Sequence, residues 1–204
     1  MGLNLDDPRV RKTRRGLQDA LIRLILQKGY DAVSIQDIAT EADTARITFY
    51  RHYPDKEALL TDCLNHLYDD LAARTESLTR EGLRSGNTPT QVLYDHIQEH
   101  EALYRILFTS QGTKTVMERL RHQMASYAMK ALQDSPAPVQ LAVPIEIIAY
   151  HAASAQIGLA MWWLDHGKPY PASYMAQVST WLTLAGLLHS VGIHTFDLPA
   201  PQVE

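Results

Sequence analysis

Apolar side chains recur every three to four residues along most of this chain, and no stretch sustains an alternating pattern, so the periodicity predicts helices and no sheet. From Arg9 to Lys28, the residues Val10, Leu17, Leu21, Leu24 and Ile25 fall on one helical face. Gly29 is placed to end that helix, and Tyr30 and Val33 continue into the core. Ile35, Ile38, Ala39 and Ala42 form the apolar face of a short second helix, opened by Ser34 and Asp37 in a capping-box arrangement. Asp43-Thr44 supplies a turn, since Asp tolerates left-handed backbone angles and Thr is suited to cap a third helix from Ala45 to His52. Pro54 stops that helix, Asp55 caps the next one, and Leu59, Leu60, Cys63, Leu64, Leu67 and Leu71 form a stripe along it.

Further on, a polar Gly/Pro-containing stretch from Thr79 to Pro89 divides the chain. Helical patterns then run over Thr90 to Phe108, Thr113 to Gln133, Pro144 to Asp165 and Pro171 to Gly192. Breaks fall at Gly112, Ser135-Pro136-Ala137-Pro138 and Gly167-Lys168-Pro169, and Asp197 to Glu204 reads as a loose tail. The expected fold class is all-α. The pattern predicts a three-helix helix-turn-helix domain over residues 1–54, joined by a long helix to a second helical domain over 55–204.

At 204 residues, with 46% hydrophobic and 21% charged side chains, the chain is long enough to bury a core. One cysteine excludes an intramolecular disulfide and suits a reducing compartment, and the N-terminus lacks the apolar stretch of a signal peptide, so a cytoplasmic location is expected. The net charge of −4 is unevenly divided: Met1 to Leu60 holds 10 Lys and Arg against 9 Asp and Glu, and the remainder holds 9 against 14. Arg9, Arg11, Lys12, Arg14 and Arg15 crowd the start, where they suit a phosphate backbone. The third helix carries an exposed polar set, Arg46, Thr48, Tyr50 and Arg51. Arg and Thr reach base edges in a major groove, and Tyr, His and Lys hydrogen-bond phosphate oxygens, so double-stranded DNA is the expected partner.

The string T-F-Y-R-H-Y-P-D-K-E-A-L-L, Thr48 to Leu60, resembles the recognition-helix signature of the TetR/AcrR family of bacterial transcriptional regulators, followed by the Lys-Glu that opens its long fourth helix. The resemblance covers Arg9 to about Leu71 closely and the remainder loosely. The family commonly has Gly in the helix-helix turn and a small residue where Ile47 sits; here the turn carries Asp43. The residues and the resemblance together give an expected DNA-contact set of Arg11, Lys12, Arg14, Ser34, Ala45, Arg46, Thr48, Tyr50, Arg51, His52 and Lys56. The resemblance implies a dimeric, ligand-responsive regulator, most often a repressor released from a palindromic operator by a small-molecule effector. The makeup of the second domain favours an apolar or aromatic effector.

Apolar residues cover nearly the whole circumference of the Pro144 to Asp165 helix, which predicts cover on two sides. Glu146, His151, Ser154 and Gln156 argue against a membrane span. Ala149, Ala152, Ala153, Gln156 and Ala160 make a small-residue strip suited to close helix approach, and the last helix offers Val178, Trp181, Leu182, Ala185 and Leu188. Two such helices from each of two chains form a four-helix interface, the family's usual arrangement, with recognition helices roughly 34 Å apart.

His96, Glu99 and His100 spell H-x-x-E-H, a pattern in which two histidines hold zinc and Glu acts as base. No third ligand in a matching context is evident, and Leu93, Ile97, Leu103, Ile106 and Leu107 make the segment an ordinary amphipathic helix, so no metal, cofactor or catalytic residue is expected. A metal-dependent enzyme or sensor built on these three residues remains an alternative, as does a helical interaction protein without operator binding. Cys63 sits in an apolar stripe, which favours packing over redox sensing. His100, Tyr104, Phe108, Tyr150, Met161, Trp162 and Trp163 are the candidates for lining an effector cavity.

Overall fold

Helix α1 (Pro8–Lys28) begins where extended Asp7 accepts a hydrogen bond from the Arg9 N–H at 2.8 Å, with Pro8 at a position whose missing N–H would have no partner in the helix. It ends at Gly29, whose φ of 76° favours glycine and whose N–H bonds back to the Ile25 carbonyl. Helix α2 (Ile35–Glu41) carries the expected capping box: Ser34 Oγ accepts from Asp37 N at 3.1 Å and Asp37 Oδ2 accepts from Ser34 N at 2.9 Å. Lys28 Nζ lies 2.8 Å from the same Asp37 oxygen, tying the end of α1 to the start of α2. That ammonium, with the Ser34 hydroxyl and amide, holds the Asp37 carboxyl well below the usual carboxylate range.

The computed structural model describes residues 7–78, 88–109, 114–133 and 143–190, without the side chains of 109, 115, 131, 132 and 184–190. The Thr79–Pro89 divider is thereby described only from residue 88 on; the breaks at Gly112 and 135–138, the 197–204 tail, and the Ala185 and Leu188 side chains lie outside the described residues. Among them, nine helices and no strand occur, and no helix is long and apolar enough to cross a membrane.

Asp43 turns the chain after α2 with φ 49°, as its side chain permits. Helix α3 (Arg46–His52) starts one residue later than the sequence predicts. Ala45 is its N-cap, extended and without a side-chain cap bond, so Thr44 does not cap it; the Thr44 N–H is engaged with the Ala39 carbonyl at 2.9 Å, which places Thr44 in the turn. Tyr53 is extended at φ −140°, ψ 133°, as its position before Pro54 requires. Asp55 Oδ1 then accepts from Ala58 N at 2.7 Å, and α4 (Lys56–Glu76) begins.

The remaining helices are α5 (Pro89–Glu99), opened by Thr88 accepting from Gln91 N, α6 (Glu101–Thr109), α7 (Lys114–Gln133), α8 (Ile145–Asp165) and α9 (Ala172–Ser190). The single helix predicted over Thr90 to Phe108 is two helices, because His100 departs to φ −119°, ψ 32°. Apolar spacing resumes in register at Leu103, so periodicity alone does not reveal the break.

The chain divides into two units. The first combines Met1–Tyr68 with Ala102–Val116, and the second combines Asp69–Glu101 with Met117–Glu204. In the first, α2 packs on α1 and α3, and Leu17, Leu21, Ile38, Phe49, Leu59 and Leu64 are buried. In the second, α9 packs on α5 and α8. Trp163 of α8 meets Tyr94 of α5 edge to face at 5.3 Å, and its indole N–H donates to the Tyr170 carbonyl at 2.8 Å, satisfying the polar atom of a fully buried ring. Gly167 and Lys168 form the α8–α9 turn at φ 72° and 58°, with the Lys168 ammonium paired to Glu101.

Candidate functional site

Helix α3 presents a hydrophobic side inward and a polar side outward. Phe49 is fully buried, its ring edge-on to Tyr50 at 5.7 Å and 6.0 Å from Tyr53, and this anchor fixes which residues face out. Arg46, Ile47, Tyr50 and Arg51 are exposed, Ile47 at 74% and Tyr50 at 46%, and Thr48 is half-buried. Arg46 Nη2 donates to Tyr50 Oη at 3.2 Å one turn away, with the guanidinium 5.6 Å from the ring centre, so the two are ordered together on the open face. An exposed large aliphatic side chain beside two arginines suits contact with apolar groups on base edges, such as a thymine methyl.

The other sequence-predicted contacts fall into different settings. Arg11 and Lys12 are exposed on α1, and Ala45 is exposed at the start of α3. Ser34 is exposed, with its hydroxyl already bonded to Asp37. His52 is half-buried with a buried, unpartnered Nδ1. Burial, then Arg14 and Arg51, lower its pKa, so its imidazole is neutral at pH 7 and offers a hydrogen bond but no charge. Lys56 Nζ donates to the carbonyls of Tyr30 at 3.0 Å and Val33 at 2.8 Å, over the Tyr30 ring. Of its three donors, one remains.

Arg14 is turned inward. It pairs with Asp62 of α4 at 2.8 Å and lies over the Tyr53 ring at 4.5 Å. The same Asp62 Oδ2 accepts from Tyr53 Oη at 2.5 Å and from Gln18 Nε2 at 2.6 Å. One carboxylate thus ties α1, the end of α3 and α4 together. Burial alone would raise the Asp62 pKa; the Tyr53 hydroxyl and the Arg14 guanidinium outweigh it and hold the carboxyl below its usual value. Neither Asp62 nor Gln18 is visible as a functional residue in the sequence, because Asp62 lies more than forty positions from both Arg14 and Gln18 along the chain.

The effector candidates divide between the units. Tyr104 and Phe108 stand on α6 in the first, with ring centres 5.7 Å apart. His100, Tyr150, Met161, Trp162 and Trp163 belong to the second. Trp163 is core. Tyr150 and Trp162 lie on the open face of α8, the first bonded to His122 at 2.8 Å and the second stacked on His166 at 4.7 Å, so an interior cavity lined by this pair is not what α8 builds.

The small-residue strip is likewise corrected. Ala149 and Ala153 are buried within this chain against Ala125 of α7, with Met124, Ala128 and Met129 around them, and Ala160 is also buried. Residues already covered at that depth have no surface for a second chain. The open face of α8 is instead Ile147, Tyr150, Ser154, Gly158 and Trp162, with half-buried Gln156 beside it; on α9, Leu182 is exposed and Val178 and Trp181 are half-buried.

His96 and His100 do converge, but on a residue that the H-x-x-E-H pattern omits. Asp70 Oδ2 of α4 lies 3.0 Å from His96 Nε2 and 4.0 Å from His100 Nε2, while Glu99 Oε2 stands 3.9 Å from His100 Nε2 and pairs with Arg74 at 2.7 Å. Burial, then His100, push the fully buried His96 down to about 4, against the pull of Asp70. Cys63 is buried and its thiol is pushed up to about 12 by that burial, which makes it inert packing.

Residues 17–63 match the family described as "Bacterial regulatory proteins, tetR family", and residues 89–183 match "Transcriptional regulator C-terminal region". The chain is 35% identical over 86 residues to the uncharacterized HTH-type transcriptional regulator YuxN of Bacillus subtilis, which covers 41% of this chain and 30% of that protein. It is 35% identical over 83 residues to the HTH-type transcriptional repressor KstR of Mycolicibacterium smegmatis, covering 41% and 39%. The chain therefore spans less than half the length of these curated relatives. The fold matches the crystal structure of the Thermus thermophilus repressor FadR in complex with lauroyl-CoA, with a TM-score of 0.64 at 22% identity over 93% of this chain and 99% of that one. This chain belongs to the TetR family, which is made up of helix-turn-helix DNA-binding transcriptional regulators and not of enzymes.

Proposed function

We propose that this protein is a cytoplasmic homodimeric regulator that occupies a palindromic operator through α3, acts as a repressor, and is released by a small-molecule effector. The observation that carries the reading is the face of α3: Arg46, Ile47, Tyr50 and Arg51 stand open while Phe49 pins the helix beneath them. Arg46 and Ile47 read base edges, and Tyr50, Arg51 and the exposed Arg11 and Lys12 hold phosphates. Lys56 and Arg14 act one step back: Lys56 fixes the turn between α1 and α2, with one donor left for a phosphate, and Arg14 fixes the helices through Asp62.

A two-fold dimer is supported by the open apolar face of α8 and α9, where Gly158 has open space at its Cβ position and so admits a close helix approach. The effector is apolar or aromatic; the lauroyl chain of the lauroyl-CoA bound by FadR is an apolar group in a ligand of a protein of the same fold, joined there to a charged coenzyme A. Ligand and DNA oppose one another through linkage, with α4 as the element that carries both the Asp62 tie and part of the second unit.

The test is binding of labelled duplex fragments across a salt series. Wild-type protein is expected to bind with a steep negative salt slope, and Arg46→Ala to lose about 1–3 kcal/mol on its preferred sequence while keeping its affinity for random duplex. Equal losses on every duplex would remove Arg46 from base reading.

A further inference from the structure

Two histidines one helical turn apart on α5 and its C-cap, His96 and His100, meet a carboxylate from α4. Asp70 Oδ2 lies 3.0 Å from His96 Nε2 and 4.0 Å from His100 Nε2, and the three ligand atoms all lie within 4.8 Å of one another. The two rings are 4.5 Å apart. His100 Nε2 is buried with no hydrogen-bond partner, a state that costs free energy unless something occupies the space in front of it. All three residues belong to the second unit, so the cluster is a feature of one body.

We propose that Asp70, His96 and His100 form a binding site for a divalent transition-metal ion of borderline softness, in the class of zinc, cobalt and nickel. Two imidazoles and one carboxylate are the donors such ions take. A tetrahedral ion with ligands at about 2.0–2.1 Å holds its donors about 3.3 Å apart, so the observed separations close on one with side-chain shifts of at most about 1.5 Å. The fourth position falls to water or to a small exogenous ligand. Arg74 is the cation now beside the carboxylate, with Nη2 2.9 Å from Asp70 Oδ2 and Nη1 2.7 Å from Glu99 Oε2. Glu99 keeps Arg74 in place when Asp70 turns to an ion, which gives the Glu of the H-x-x-E-H string a holding role instead of a catalytic one. Metal binding goes beyond the regulator reading and does not depend on it: it adds to the second unit an ion site different in chemistry from the apolar or aromatic effector.

The experiment is titration of cobalt(II) into the chelator-stripped full chain, followed by its visible ligand-field absorption, with zinc as displacing ion. One cobalt per chain is expected. His100→Ala and Asp70→Asn are each expected to weaken it roughly tenfold or more with an unchanged circular dichroism spectrum, and Arg74→Gln to tighten it. His100 and Asp70 are both partly exposed, so these variants test the site where His96→Ala would put folding at risk. Absence of a saturable band, or equal binding by wild type, His100→Ala and Asp70→Asn, overturns the proposal. Cobalt binding by a protein that ignores DNA would sink the regulator reading and leave this one standing.

Discussion

The Asp62 carboxylate accepts from Arg14, Gln18 and Tyr53 in a part-buried setting, so Asp62→Asn strands charged and polar donors at once and is expected to cost about 2–4 kcal/mol in urea unfolding at pH 7. The pH dependence comes from the direction of its shift. A carboxyl held below its unfolded pKa of about 3.9 stabilises fully above that value and loses the contribution as pH falls through the folded pKa. The gap between wild type and Asp62→Asn should therefore be constant near neutrality and narrow below about pH 4; a gap that widens in acid would contradict this assignment. Lys56→Ala should cost about 1–2 kcal/mol, since two carbonyls lose a charged donor, and a fully silent change would mean that the turn holds without it. Local chemistry of this kind was partly legible. Gly29, the Ser34–Asp37 box, Asp43 and Asp55 act within four residues of themselves, and the sequence shows both partners. Asp62 reaches Arg14 and Gln18, and Asp70 reaches His96, across tens of residues, where only the fold brings the partners together.

At the scale of elements, the pattern located the described helical segments but joined α5 and α6 into one, and its misses have physical causes. Thr44 reads as a cap, yet it stands one residue before the N-cap position, which Ala45 occupies, so α3 starts without a side-chain cap. Asp43 sits at φ 49°, so Asp43→Gly should stabilise the first unit by about 0.5–1 kcal/mol, whereas Asp43→Val should destabilise it; thermal unfolding in which both changes go the same way would put the turn geometry in doubt. The break at His100 passed unseen because a half-buried histidine can continue an apolar stripe as well as end it. For α8, apolar residues all round announce two covers without saying which side each takes. The chain itself covers the alanine side through α7, leaving the side with Ile147, Gly158 and Trp162.

For the whole molecule, the proposed dimer is built on that remaining face. Gly158→Glu and Leu182→Glu each place a charge on it without disturbing the buried alanines, and sedimentation should show monomers with either, together with weakened DNA binding. A dimer that survives both substitutions would move the interface off α8 and α9. Family membership was legible from Thr48 to Leu60, because recognition helices are short and their residues serve local packing and groove contact together. The effector was not, because ligand chemistry is set by side chains drawn from separate helices. The most direct measurement is selection of bound duplexes from a random pool at low salt. An inverted repeat should emerge, its half-sites about one helical turn apart, and Arg46→Ala should relax one position in each half. A pool that returns unenriched, or an enriched sequence without two-fold symmetry, would contradict a dimer reading DNA through α3.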